Sequence, residues 1–199
     1  MSDDNEIPEL SEAERARWEA AQSVLRGLAE AATSGTPDNE TLAAAIAQAR
    51  QIDLDMERVR DSLHIPEDAG ECREALTALL RRIPNGWGRW ISCDAGWYPL
   101  VTGLDAQLAE LDPEYELHQV KEKFGALRYY AHTSSSNDET QSAFWARIDE
   151  AEKRSEVICE RCGGSATGCR LGSWLKTLCP SCATDLGYSP IPGEASADE

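Results

Sequence analysis

Two cysteine pairs, CERC at Cys159–Cys162 and CPSC at Cys179–Cys182, constrain this chain more than any other feature. Each pair can turn tightly enough to aim two thiols at one point, and the separation between the pairs is that of a structural zinc site. Gly163 and Gly164 follow the first pair, where a metal knuckle needs backbone angles that glycine accepts. Pro180 suits a helix start, which would put Cys182 in a first turn whose dipole favours thiolate. Between the pairs, GSWLKTL at Gly172–Leu178 reads as a returning strand. The expectation is one zinc ion held by Cys159, Cys162, Cys179 and Cys182 in a zinc-ribbon or treble-clef finger over residues 156–188. Four thiolates would close the metal to substrate. Such a site is structural and contributes folding free energy on the order of 10 kcal/mol, which so short a segment cannot draw from its own core. Disulfides are the alternative, and they do not suit a reducing cytosol. Cys169 lies between the pairs and could replace a ligand, although TGCRLG reads better as part of a hairpin. Cys72 and Cys93 stand alone and read as small buried side chains.

Upstream, the N-terminal region 1–84 is helical. Ser11 and Glu14 form a capping box, and Trp18, Ala21, Leu25, Leu28 and Ala32 then recur at steps of three and four. TSGTPDN at Thr33–Asn39 breaks that helix. Ala45, Ala49, Ile52, Met56, Val59 and Leu63 form a heptad seam ending before Pro66, which predicts a second helix and an antiparallel helical hairpin. This hairpin would pack internally or serve as an interaction arm. A third helix is predicted near Glu67–Arg82, and PNG at Pro84–Gly86 ends the helical part.

From Trp87 the composition changes, with five of the six tryptophans on this side. An α+β core is predicted over 87–155. Pro99 opens a helix whose Leu100, Leu104, Leu108 and Leu111 share one face up to Asp112-Pro113. Alternation over Tyr115–Lys123 and Ala126–Thr133, with Phe124-Gly125 between, predicts a β-hairpin at 115–133. Thr133–Asn137 reads as an exposed loop. A last core helix is expected from about Asp138 to Arg154, with Phe144, Ile148 and Ala151 inward. The tail 189–199 reads as disordered. The fold class expected is therefore α+β: a helical hairpin, a small helix and β-hairpin core, and a C-terminal finger.

Charge bounds the partners. The 199 residues carry 36 acids against 19 bases, a formal net charge of -17 with a pI near 4.5. Phosphate backbones are poor partners for such a surface and basic proteins are better ones. The same charge could also serve solubility alone. No run approaches the roughly 18 apolar residues of a membrane helix, and the acidic N-terminus is unlike a signal peptide, so a cytoplasmic location is expected.

Enzymatic patterns are sparse: there is no Gly-rich phosphate loop, nucleophile elbow or HExxH. The best catalytic candidates are Glu122, Lys123, Arg128, Tyr130 and His132 on the hairpin, and His64, His118 and His132 have no metal spacing. Two of the four lysines, Lys121 and Lys123, flank the hairpin turn. With Arg128 and Tyr130 they form either a recognition face or a set of cations that offset neighbouring carboxylates with stems laid over aromatic rings.

The run GWYPL, then LDPEYELHQVKEKFGALRYY, then CERCGG and TLCPSC, resembles a family of small proteins encoded in bacterial genomes, tailed phages and prophages. These carry a VKEKFGxLRFY segment followed by a four-cysteine zinc finger. The resemblance covers roughly Trp87–Tyr188. This chain has Ala126 where a second glycine is common and Tyr129 where phenylalanine is. The resemblance supports the fold and the zinc and supplies a phage context. The expected function is a non-catalytic, zinc-stabilised acidic binding protein of phage-accessory, immunity or antitoxin type that acts on a basic protein. The alternative is a nucleic-acid-associated regulator that touches phosphate through Arg161, Arg170 and Lys176 of the finger. An enzyme with a site on the hairpin comes third.

Overall fold

The structure, a computed structural model, describes residues 6–34, 39–50 and 53–192. The chain is mixed α+β, with seven α-helices and two three-stranded sheets among the described residues. It divides into two compact units, Met1–Ser62 and Leu63–Glu199.

In the first unit, α1 spans Glu12–Ser34 and α2 spans Asn39–Arg50. The capping box is formed: the Glu14 amide donates to Ser11 Oγ at 3.3 Å, and the Ser11 amide donates to Glu14 Oε2 at 2.8 Å. The expected long second helix is interrupted. A separate short helix, α3, covers Met56–Asp61, and Asp55 is its N-cap, accepting from the Glu57 and Arg58 amides at 3.1 Å each. A carboxylate that takes two free amides gives the backbone an alternative to continuing a helix, and this outweighs the heptad spacing. Ile52 and the Ala49 side chain, both in the predicted seam, lie outside the described residues. Arg58 joins α3 to the start of α1 through Glu14 at 2.9 Å.

The second unit begins with the predicted third helix, a 3-10 turn at Glu67–Cys72 followed by α4, Arg73–Leu80. The sequence groups this helix with the N-terminal helices, but its Leu79 and Leu80 are buried in the same core as Trp97, Val101 and Leu108. Strand β1 is only Ile91–Ser92, and a 3-10 turn at Ala95–Trp97 leads into α5, Tyr98–Leu111. Pro99 sits in the first turn, and Leu100, Leu104 and Leu108 are buried as the spacing predicts.

The hairpin is β2, Glu116–Lys123, and β3, Ala126–His132. Lys123 pairs with Ala126, so Phe124 and Gly125 alone make the turn, both at positive φ (58° and 79°). A two-residue hairpin turn of that hand matches strand twist, and Gly125 makes it inexpensive. The first sheet has the order β1-β2-β3, which leaves β3 at an edge. Helix α6, Asp138–Ser155, covers that edge. Ser155 Oγ accepts from the Leu127 amide at 2.9 Å, and Glu152 Oε1 accepts from the Tyr129 amide at 3.0 Å. Two amides that would otherwise template aggregation are thereby satisfied. Phe144, Ile148 and Ala151 of α6 face the core.

The second sheet contains β4, Thr167–Leu171, β5, Trp174–Leu178, and β6, Ser189–Pro190, in the order β5-β4-β6. Helix α7, Pro180–Leu186, ends at Gly187 in the left-handed region. The expectation of disorder from Ser189 fails at its start: Ser189 pairs with Arg170 and Pro190 with Cys169, and the Ile191 amide donates to Gly168 O at 2.9 Å. Proline is tolerated there because β6 is an edge strand. Residues 193–199 of the predicted tail lie outside the described ones.

Candidate metal centre

The first cysteine pair sits on a turn that runs out of α6. The Gly163 amide donates to Cys159 O at 2.8 Å and the Cys159 amide to Gly164 O at 2.7 Å, and Gly163 holds φ 78°. This closes the backbone into a knuckle and points both thiols the same way. The second pair is built by a helix start. Cys179 is the N-cap of α7, Pro180 occupies the first helical position, and the Cys182 amide donates to Cys179 Sγ at 3.5 Å. The β4–β5 hairpin brings the two pairs together. All four sulfurs lie within 4.8 Å of one another, with Cys162 Sγ and Cys179 Sγ 3.7 Å apart.

That separation fits a metal. Tetrahedral thiolates about 2.3 Å from one ion lie about 3.8 Å from each other, whereas a disulfide needs about 2.05 Å. Among the described residues this is the one group of His, Cys, Asp and Glu placed to hold a metal ion. The cluster runs from buried to exposed, with Cys159 and Cys182 buried and Cys162 open to solvent. The start of α7 acts on Cys179 as well as on Cys182, because Cys179 is the N-cap that accepts from the Cys182 amide. The Cys182 amide, together with the neighbouring thiols, lowers Cys179 to about 7, whereas Cys182 is raised to about 12, first by its hydrogen bond with Cys179. The N-cap position is the one that accepts, so the helix start favours charge there. Cys169 is not in the cluster. It is buried in β4, with its sulfur 3.5 Å from Thr167 O.

The knuckle is fixed to the core by residues that spacing arguments could not find. Gly96 faces it so closely that a Cβ there would lie 2.2 Å from Cys159 O and 2.4 Å from Gly163 N. Beside it, Trp97 Nε1 donates to Ile158 O at 2.8 Å. From the other side, Thr177 Oγ1 donates to the hairpin turn at Gly125 O, 2.6 Å away. Glu160, only 1% exposed, accepts from Lys176 Nζ at 2.5 Å and from the Asp94 amide at 3.3 Å. Burial pushes the Glu160 carboxyl above its ordinary range although Lys176 pulls the other way. Desolvation works against the Lys176 ammonium, but Glu160 and Asp94 hold it above its ordinary range. The available signals were faint: a glycine beside a tryptophan in DAGW, and a lysine alone in an apolar strand.

The finger's cations are differently placed from one another. Lys176 is engaged as described, Arg161 pairs with Asp185 at 3.5 Å, and Arg170 is exposed. On the hairpin, Lys121 stands opposite Arg128 and Gln119 opposite Tyr130, so Lys121, Lys123, Arg128 and Tyr130 share one face. Lys121 Nζ lies 5.1 Å over the Tyr130 ring and Lys123 Nζ 5.2 Å over that of Phe124. Arg128 pairs with Glu152 at 3.6 Å. Tyr130 and Phe124 are exposed. Glu122, a catalytic candidate in the sequence, is on the opposite face and accepts from the Gly125 amide at 2.6 Å, so it stands apart from the other four candidates, Lys123, Arg128, Tyr130 and His132, which share a face. His118 stacks on Trp87, with centroids 4.3 Å apart. Among the described residues no helix is long and apolar enough to cross a membrane. Comparison with protein-family models, curated proteins and solved structures finds no match to this chain.

Proposed function

We propose that this chain is a non-catalytic, cytoplasmic binding protein, stabilised by one structural zinc ion, whose acidic surface engages a basic protein partner. The observation that carries the reading is the cluster of four cysteine sulfurs, which offers a metal four protein ligands and leaves no open position for substrate. Thiolate donors in that number suit zinc, as does their spacing. The order of knuckle, hairpin and capped helix favours a treble-clef finger over a zinc ribbon. In the first unit α1 and α2 pack on each other, which favours the helical hairpin. The resemblance to phage-encoded small proteins suggests an accessory, immunity or antitoxin role.

A net charge of -17 speeds encounter with a cationic partner and repels phosphate. On the hairpin, Tyr130 supplies an aromatic anchor, and the stems of Lys121 and Lys123 with Arg128 frame it. The nucleic-acid reading is weaker than the sequence suggested, because Lys176 is committed to Glu160.

Elemental analysis of purified protein tests the metal: about one equivalent of zinc is expected, lost in Cys179→Ser and retained in Cys169→Ser. Zinc-free protein with full stability would refute it. For the partner, affinity capture from the native host should recover a basic protein whose binding weakens as salt rises and falls in Tyr130→Ala. Tight binding to duplex DNA or single-stranded RNA at physiological salt would overturn the ranking.

A further inference from the structure

A cavity of about 240 Å³ opens between α5, α6 and the Cys159–Gly164 knuckle. Pro99, Leu100, Leu104 and Ile158 give it an apolar floor, while Arg147 and Arg154 stand on its rim. The two arginines are two turns apart on α6 and therefore on one stripe. Gly103 forms part of the wall, and a Cβ there would meet nothing within 4 Å. The missing side chain leaves the cavity open.

The arginines differ. Arg147 pairs with Glu150 at 3.5 Å, and Glu150 also lines the cavity. The Arg154 guanidinium has no ion pair or hydrogen bond among the described residues. Arg58, Arg60, Arg82, Arg128 and Arg161 each have a carboxylate within reach, whereas the exposed Arg81 and Arg170 share with Arg154 the lack of an ion pair among the described residues; what sets Arg154 apart is its place on the cavity lining. Arg154 also complements the negative end of the α6 dipole, which accounts for its sign but not for the apolar cavity next to it.

We propose that this cavity binds a small organic anion, an apolar body bearing one carboxylate. The apolar body would rest on Leu100, Leu104 and Ile158, and the carboxylate would take the fork of Arg154. Inorganic phosphate would leave the floor unused, and a neutral apolar molecule would leave Arg154 without a counter-charge. Pockets for drug-sized ligands run from about 300 to 1,000 Å³, so the occupant is smaller than those. This site is independent of the protein-partner reading.

The test uses full-length, metal-loaded protein and amide NMR, with benzoate, benzyl alcohol and inorganic phosphate as probes. Benzoate should shift the Gly96, Gly103 and Gly163 amides saturably, with a millimolar dissociation constant or tighter, and both other probes should bind at least about tenfold more weakly. Arg154→Gln, a change at an exposed side chain, should weaken benzoate about tenfold, as loss of a charged hydrogen bond does. Gly103→Leu should fill the cavity and abolish the shifts while the thermal midpoint is kept. The proposal is overturned if benzoate gives no saturable shift, if benzyl alcohol or phosphate binds as well, or if Arg154→Gln binds like the parent. If Gly103→Leu does not fold, the Arg154 comparison decides alone.

Discussion

Gly96→Ala isolates the contact that holds the metal-binding knuckle to the core. The added Cβ would lie 2.2 Å from Cys159 O, 2.4 Å from Gly163 N and 2.6 Å from Glu160 O. Favourable contacts begin near 3.5 Å, so the 3-10 turn at Ala95–Trp97 and the knuckle must separate by about 1 Å. All three obstructing atoms are backbone, so no side chain can swing aside. Overpacking of this kind costs about 1–3 kcal/mol, and rigid backbone puts Gly96 at the top of that range. The same separation stretches two hydrogen bonds, Trp97 Nε1 to Ile158 O at 2.8 Å and the Asp94 amide to Glu160 at 3.3 Å. Each is worth about 1 kcal/mol, giving a total loss of about 3–5 kcal/mol. Urea unfolding of the metal-loaded protein measures it as a lower midpoint at unchanged slope. Gly103→Ala is the internal control. Its Cβ meets nothing within 4 Å, and alanine is the better helix former by up to about 1 kcal/mol, so this variant should match or exceed the parent. A Gly96→Ala protein within about 0.5 kcal/mol of the parent, the usual effect of a neutral surface change, would refute this account of the docking.

Asp112 makes stability depend on pH. Burial alone would raise its carboxyl, but hydrogen bonds from Thr133 Oγ1, Ser134 Oγ and the Ser134 and Glu114 amides outweigh that and lower it. A depressed folded value contributes stability above the unfolded one, near pH 4, and loses it as the pH falls through the folded one. Asp112→Asn should therefore flatten the pH dependence of the urea midpoint below about pH 4, and a parent-like acid limb in that variant would count against the assignment. Lys176→Met should destabilise by about 3 kcal/mol or more, because Glu160 then stays buried without its counter-charge, and adding Glu160→Gln should recover much of the loss. Additive losses in that double-mutant cycle would exclude the coupling.

The fold was legible wherever one local rule decided it. The Ser11–Glu14 box, the Pro99 helix, the two-residue turn at Phe124-Gly125 and the Phe144–Ile148–Ala151 face all follow from spacing and turn chemistry. The four cysteines were legible for the same reason, since a CxxC pair encodes its own geometry. Failures came where a competing local bond or a distant partner intervened. Asp55 caps a new helix inside a good heptad pattern, and Ser189–Pro190 gain order only because β4 presents an open edge. The Glu160–Lys176 pair and the Gly96 contact are tertiary facts, and residues sixteen or more positions apart carry no periodic signal of their meeting.

The docking of the finger also bears on what its charges can do. A finger that reads phosphate must keep its cations outward and free, because their contribution is the release of counterions on contact. Here Lys176 is half-buried, with its ammonium on the buried Glu160 and Asp94 also 3.8 Å away, and Arg161 shares its charge with Asp185. Those cations serve the interior and the local surface, where they neutralise carboxylates that the fold has brought close. Of the finger's three cations named above, Arg170 alone is left exposed with no ion pair among the described residues, in a chain that carries a charge of -17. Folding thus leaves the finger with fewer free cations than its composition suggests. A net negative field attracts cations and repels phosphate before any specific contact forms, which is the physical basis of the partner proposed above.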